Sequence, residues 1–213
     1  MRRDEFEHVI RAAGEVTGEK ELLVVGSQSI LGSFPGGLPK GVTLSAEVDI
    51  ASFDDPDDTK ANTISGNIGE LSEFHQTFGY YAEGVGQTTS TLPDGWRNRL
   101  VTVTTENMRG VVAKCLDPHD LCVAKLLAGR AKDKKFVREL LVSGHVKPKV
   151  ILERLAVTPA LYAGQHVEIA SWIRKVCPPG RNPSYRRALR AIEEGKAQTD
   201  GARGEATEDR SIG

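Results

Sequence analysis

Between Thr43 and Ile50 the chain reads Thr-Leu-Ser-Ala-Glu-Val-Asp-Ile, so that Leu44, Ala46, Val48 and Ile50 alternate with Ser45, Glu47 and Asp49. Alternation at period two is a strand pattern, with one face directed to the core and the other carrying both carboxylates. Glu47 and Asp49 would then stand side by side, aimed in one direction. Like charges that close repel, and stability alone does not place them there. A divalent cation between them reverses the sign of that interaction. Mg²⁺ suits the position best, because it takes oxygen ligands, commonly one or two carboxylates together with substrate phosphates. The competing reading is a half-exposed edge strand with an acidic outer face, and this stretch alone leaves the two open.

A chain of 213 residues accommodates one domain, or one domain with a small helical extension. A hydrophobic content of 39% with 27% charged residues is that of an ordinary soluble globular protein. No apolar run approaches the length of a membrane span, and no apolar segment follows Met1-Arg2-Arg3-Asp4, so no membrane partner is expected. Cys115, Cys122 and Cys177 are odd in number and lack metal-site spacing, which makes a reduced, cytoplasmic setting the expectation. The histidines are scattered, and no zinc site is expected. A net charge of -1 excludes a globally basic nucleic-acid binder. The charge is unevenly spread, however: Asp54-Asp55-Pro56-Asp57-Asp58 follows the acidic strand, whereas Lys125 to Lys149 is rich in Lys and Arg.

Residues 4–17 place Phe6, Val9, Ile10, Ala13 and Val16 at helical spacing. Glu21 to Val25 follows as a short buried strand running into Gly26-Ser27-Gln28-Ser29. A strand that ends in Gly-Ser and turns into a helix presents free backbone N–H groups to an anion. It is not a P-loop, since no Gly-Lys-Ser/Thr follows. Residues 57–78 carry apolar positions at helical intervals, interrupted by Gly66 and Gly69, and are expected to form a helix. Further strands are expected at 80–83, 99–104 and 110–116.

Asp117-Pro118-His119-Asp120 is a helix start: Asp117 caps, Pro118 fits the first helical position and Asp120 favours the positive end of the dipole. The helix that follows, Leu121 to Ala128, is apolar on every side except at Lys125. Such a helix is buried, and a buried lysine is paired or faces an anion, unless its stem packs and its ammonium snorkels to water. Asp133 stands alone among Arg130, Lys132, Lys134 and Lys135, and by itself reads as a helix-start carboxylate with ion pairs. Helices are expected at 136–142, 147–156 and 159–176, with a last one around Arg186 to Arg190 and a polar, disordered tail from Glu193.

Gly26-Ser27 closing one strand, followed by Glu47-x-Asp49 on the next, resembles the signature of the polymerase-β-like nucleotidyltransferases. Asp117-Pro118 to Leu121, then Lys125-Leu126-Leu127-Ala128, then Arg130-Ala131-Lys132-Asp133, is similar to the third and fourth motifs of the AbiEii and MenT-type nucleotidyltransferase toxins. The resemblance covers residues 20–142. It implies an α+β fold: a nucleotidyltransferase core of a small mixed sheet flanked by helices over 1–116, then a helical C-terminal subdomain over 117–192 that completes the site, with 193–213 as the tail.

The resemblance also implies roles. Glu47 and Asp49 would hold Mg²⁺, with Mn²⁺ as the alternative ion. Gly26 and Ser27 would cradle the triphosphate, Lys125 would contact nucleotide phosphates, and Asp133 would complete the site. Arg99, with Arg97 and Lys114, would add phosphate contacts, and Ser45 is a candidate acceptor of self-modification. The first acidic position is Glu47 where Asp is usual, and no third carboxylate is evident on a neighbouring strand. The implied reaction transfers NMP from NTP to the 3′ end of tRNA and blocks translation, under the restraint of a cognate antitoxin. Two alternatives stand beside it: AMP transfer to a protein partner, and a catalytically silent nucleotide-binding member.

Overall fold

The computed structural model describes residues 1–204, with side chains through residue 195. Its strands are β1 (Glu21–Val24), β2 (Glu47–Ser52), β3 (Tyr81–Gly84), β4 (Val101–Val103) and β5 (Val112–Cys115). They form one mixed sheet in the order β3-β2-β1-β5-β4. β1 runs antiparallel to β2 and parallel to β5, while β3 runs parallel to β2 and β4 antiparallel to β5. Leu22, Leu23 and Val24 are all fully buried, so the central strand is covered on both faces and reads as an unbroken apolar run. With helices flanking this sheet and a helical C-terminal part, the fold is α+β, consistent with a nucleotidyltransferase core.

Helix α1 (Arg3–Thr17) buries Phe6, Val9, Ile10 and Ala13, the stripe its spacing predicts, and stops at Gly18 in the left-handed conformation. A short α2 (Ile30–Ser33) follows the Gly-Ser turn. The single helix expected over 57–78 is two, α3 (Thr59–Ile68) and α4 (Glu73–Phe78). Gly69 ends the first in an extended conformation, where an added Cβ would lie 2.1 Å from the Ser65 carbonyl oxygen. Ser72 then starts the second by accepting the His75 N–H at 3.1 Å.

The acidic strand also differs from its sequence pattern. β2 begins at Glu47, and Leu44, expected on the core face, is 73% exposed. The reason lies in its partner: Val24, the last residue of β1, pairs with Ile50, and the chain then turns away at Gly26. Glu47 therefore lies at the open end of the sheet.

The C-terminal part comprises α5 (Pro118–Ala128), α6 (Ala131–Val142), α7 (Pro148–Leu155), α8 (Gln165–Val176) and α9 (Pro183–Gly204). α5 is buried as its composition requires and packs against α6 and α7, while α9 covers α7 and α8. The helix expected from Pro159 starts only at Gln165. That side chain is buried and ties the preceding loop to the core, accepting the Leu161 N–H at 2.9 Å and donating to the Leu127 carbonyl at 3.0 Å. α9 continues past Glu193, where the disordered tail was expected to begin; residues 205–213 of that tail lie outside the described residues.

Candidate active site

The end of β1, the start of β2 and one face of α5 converge on a cleft of about 410 Å³. On β2, Val48 and Ile50 are fully buried, and the pleat turns Glu47 and Asp49 to the opposite face, into the cleft. Facing them is the Gly26-Ser27 turn. Gly26 has φ +61°, and an added Cβ would lie 1.8 Å from Asp49 Oδ2, so only glycine lets the backbone pass beside this carboxylate. Leu121, Ala124, Lys125 and Ala128 recur at helical spacing along the α5 wall.

Lys125 is 8% exposed, and its burial is compensated on three sides. Its Nζ donates to Ser27 Oγ at 2.9 Å and to Asp133 Oδ1 at 3.1 Å, and lies 4.6 Å from the centroid of the Phe136 ring. The sequence alternative of a snorkelling ammonium is thus overturned, because the partners are inside. Asp133, in the first turn of α6, is itself fully buried; Arg130 Nε donates to its second oxygen. Burial pushes the Asp133 carboxyl up, but Arg130 and Lys125 outweigh it and hold it below the ordinary value. Asp133 meets the site only through its contact with Lys125; it does not line the cleft.

On β2, Asp49 is under the opposite stress. Burial first, and then the neighbouring Glu47, push Asp49 up to about 6 from its ordinary 3.8. Tyr81, opposite Glu47 on β3, donates its hydroxyl to Glu47 Oε2 at 3.4 Å, and its own ionisation is pushed up to about 12 by burial and by Glu47. Paired, half-buried oxygen donors in mutual repulsion are a donor set that fits Mg²⁺, which would draw its remaining ligands from phosphate and water. Among the described residues no group of three or more His, Cys, Asp or Glu gathers to hold a metal. Glu83, the register partner of Asp49 on β3, accepts from Ser65 Oγ at 3.3 Å and does not line the cleft.

Of the residues singled out from the sequence, Gly26, Ser27, Ser45, Glu47, Asp49 and Lys125 meet in this one cleft. Arg99 stands elsewhere. Its guanidinium donates to both oxygens of the fully buried Asp120, at 2.8 and 3.1 Å, and to the Asp94 carbonyl. Asp120 also accepts from Arg154 at 2.6 Å, so these residues form a buried ionic node joining the 93–99 loop, α5 and α7. Burial nevertheless pushes Asp120 up to about 6, against the pull of Arg99. Arg97 lies over the Trp96 ring and donates to Gln87, and Lys114 is engaged by Thr102 and Glu21.

Sequence reasoning missed Leu161 and the run Thr89-Ser90-Thr91, which also line the cleft. Their only sequence signal is a hydroxyl-rich loop bounded by glycines and a Pro-Asp-Gly turn.

No curated protein and no solved structure matches the chain. A family does: the match extends over residues 4–166, and it takes in the Gly26-Ser27 turn, both β2 carboxylates, Lys125 and Asp133. With well over half of its length matched, this chain belongs to the family described as nucleotidyltransferase of unknown function (DUF6036).

Proposed function

We propose that this protein is a Mg²⁺-dependent nucleotidyltransferase that moves NMP from NTP to the 3′ end of tRNA, as the toxin of a toxin–antitoxin pair. The observation that carries the reading is the confrontation of Glu47 and Asp49 with Gly26, Ser27 and Lys125 across one cleft. The acceptor and the toxin role rest on the resemblance of the motifs to the AbiEii and MenT-type enzymes. Glu47 and Asp49 would hold the ion, whose bound charge offsets that developing on the phosphates. Gly26 lets the backbone pass beside Asp49, which brings the turn up against the carboxylate pair. Lys125 Nζ, already pointed at Ser27 Oγ, donates to a non-bridging phosphate oxygen, and the Ser27 hydroxyl donates to a second. The acceptor hydroxyl oxygen bonds to the α-phosphorus as the bond to the β-phosphate bridge breaks, releasing pyrophosphate and the hydroxyl proton.

Incubating the protein with total tRNA, Mg²⁺ and each α-labelled NTP in turn tests this directly. Label on tRNA 3′ ends that disappears with Asp49→Ala is the expected result. Label on protein instead would move the acceptor, and retained transfer by Asp49→Ala would overturn the assignment of the site. The lack of a third gathered carboxylate among the described residues favours one second reading, a member that binds nucleotide without turnover. Mg²⁺-dependent NTP binding with no pyrophosphate release against any acceptor would establish it.

A further inference from the structure

Beside the catalytic cleft lies a second one of about 600 Å³, lined by Lys134, Gly164, Val167, Trp172 and Lys175 among others. Both draw on α6 and on the α7–α8 loop, and on α6 they open on opposite flanks, since residues two apart on a helix do not share a face. Lys132 lines the first cleft and Lys134 the second, two residues apart on α6, and Leu161 and Ala163 are related in the same way on the α7–α8 loop.

Lys132, Lys134 and Lys175 are exposed and make no salt bridge among the described residues. The acid in the lining, Glu168, is occupied by the Tyr162 hydroxyl at 2.9 Å. Trp172 is half-buried, its ring packed against the core at one side and lining the cleft at the other. Unpaired lysines spaced around an accessible indole suit a chain of phosphates bearing bases that stack.

We infer that this second cleft is the seat of the acceptor strand: single-stranded RNA enters over Lys134, Trp172 and Lys175 and passes Lys132 to present its 3′ hydroxyl in the catalytic cleft. The inference rests on the nucleotidyl-transfer reading of that cleft. In this arrangement Lys134 and Lys175 contact phosphates and supply salt-sensitive affinity, while Trp172 stacks a base and is tolerant of sequence.

Fluorescence anisotropy of the full chain with a labelled single-stranded RNA of about ten nucleotides tests it, with Mg²⁺–NTP binding measured in parallel. Lys134→Gln combined with Lys175→Gln is expected to weaken RNA binding about tenfold and to flatten the log–log salt slope by about 1.4, two phosphates' worth. Trp172→Leu is expected to weaken binding about tenfold, with Trp172→Phe restoring most of it, since phenylalanine keeps a stacking face. NTP affinity stays at the wild-type value in all of these, which also reports an intact fold. RNA binding unchanged by the substitutions overturns the inference, as does a polyglutamate peptide that binds as tightly and with the same sensitivity. NTP binding without RNA binding in the wild type overturns it too, and leaves nucleotidyl transfer standing. RNA binding without NTP binding supports the RNA seat and overturns the reading of the first cleft.

Discussion

Replacing Asp49 with asparagine keeps its shape while removing the charge that burial and Glu47 disfavour. Raising a carboxyl from 3.8 to about 6 means that the folded state resists its ionisation. The difference of about two units is worth ~3 kcal/mol at most, at 1.36 kcal/mol per unit. The sign follows from linkage. Below pH 4 the group is protonated in both the folded and unfolded chains and costs nothing. Between pH 4 and 6 the unfolded chain ionises while the folded one does not, and the penalty grows. Above pH 6 it is fully present. Asp49→Asn is therefore expected to be more stable than the wild type at neutral pH without divalent ions, by up to ~3 kcal/mol, or roughly 6–12 °C in Tm for a chain of this size. The advantage should vanish at pH 4. Urea denaturation of both proteins across pH 4–7.5, with and without Mg²⁺, reads it out. Mg²⁺ should stabilise the wild type alone and increasingly as pH rises through 6, because only the ionised pair binds it. A difference that does not vary with pH, or a variant less stable at pH 7, would refute the electrostatic reasoning.

Two further substitutions separate the site from its surroundings. Gly26→Ala puts a methyl group into the space of Asp49 Oδ2 at a positive φ, and is expected to cost at least ~1 kcal/mol in stability and to abolish Mg²⁺–NTP binding measured by calorimetry. Arg99→Ala removes two of the charged hydrogen bonds to buried Asp120 but leaves Arg154 in place, so a loss of about 2 kcal/mol in urea denaturation is expected, with NTP affinity unchanged. A large loss of NTP affinity at full stability would return Arg99 to the nucleotide.

The parts of the site that the sequence displays are those where local pattern and chemistry coincide. Glu47-x-Asp49 shows itself because a strand's pleat must place both on one face, and Lys125 because a lysine in an apolar helix has to find a partner. Which partner is a matter of tertiary contact: Ser27 lies 98 positions away, and nothing local announces it. The same limit explains Arg99. Its position among other cations suggests phosphate, but Asp120, read as serving only a helix terminus, is fully buried and needs the charge. The start of β2 and the break at Gly69 went unread for a related reason. Strand limits are set by the neighbour's length, and a helical stripe continues on paper across a glycine that the backbone cannot carry through.

The bridge from Lys125 to Ser27 has a consequence for how this protein comes apart. It fastens a helix formed late in the chain to a turn formed early, and the same ammonium is held from behind by Asp133. Loosening α6 would therefore release Lys125 from its aim before the sheet is disturbed. Nucleotide phosphates that bind the same ammonium would clamp the two parts together. Hydrogen exchange in α5 and α6 should accordingly slow on nucleotide binding, far more than in β4, which stands at the other edge of the sheet.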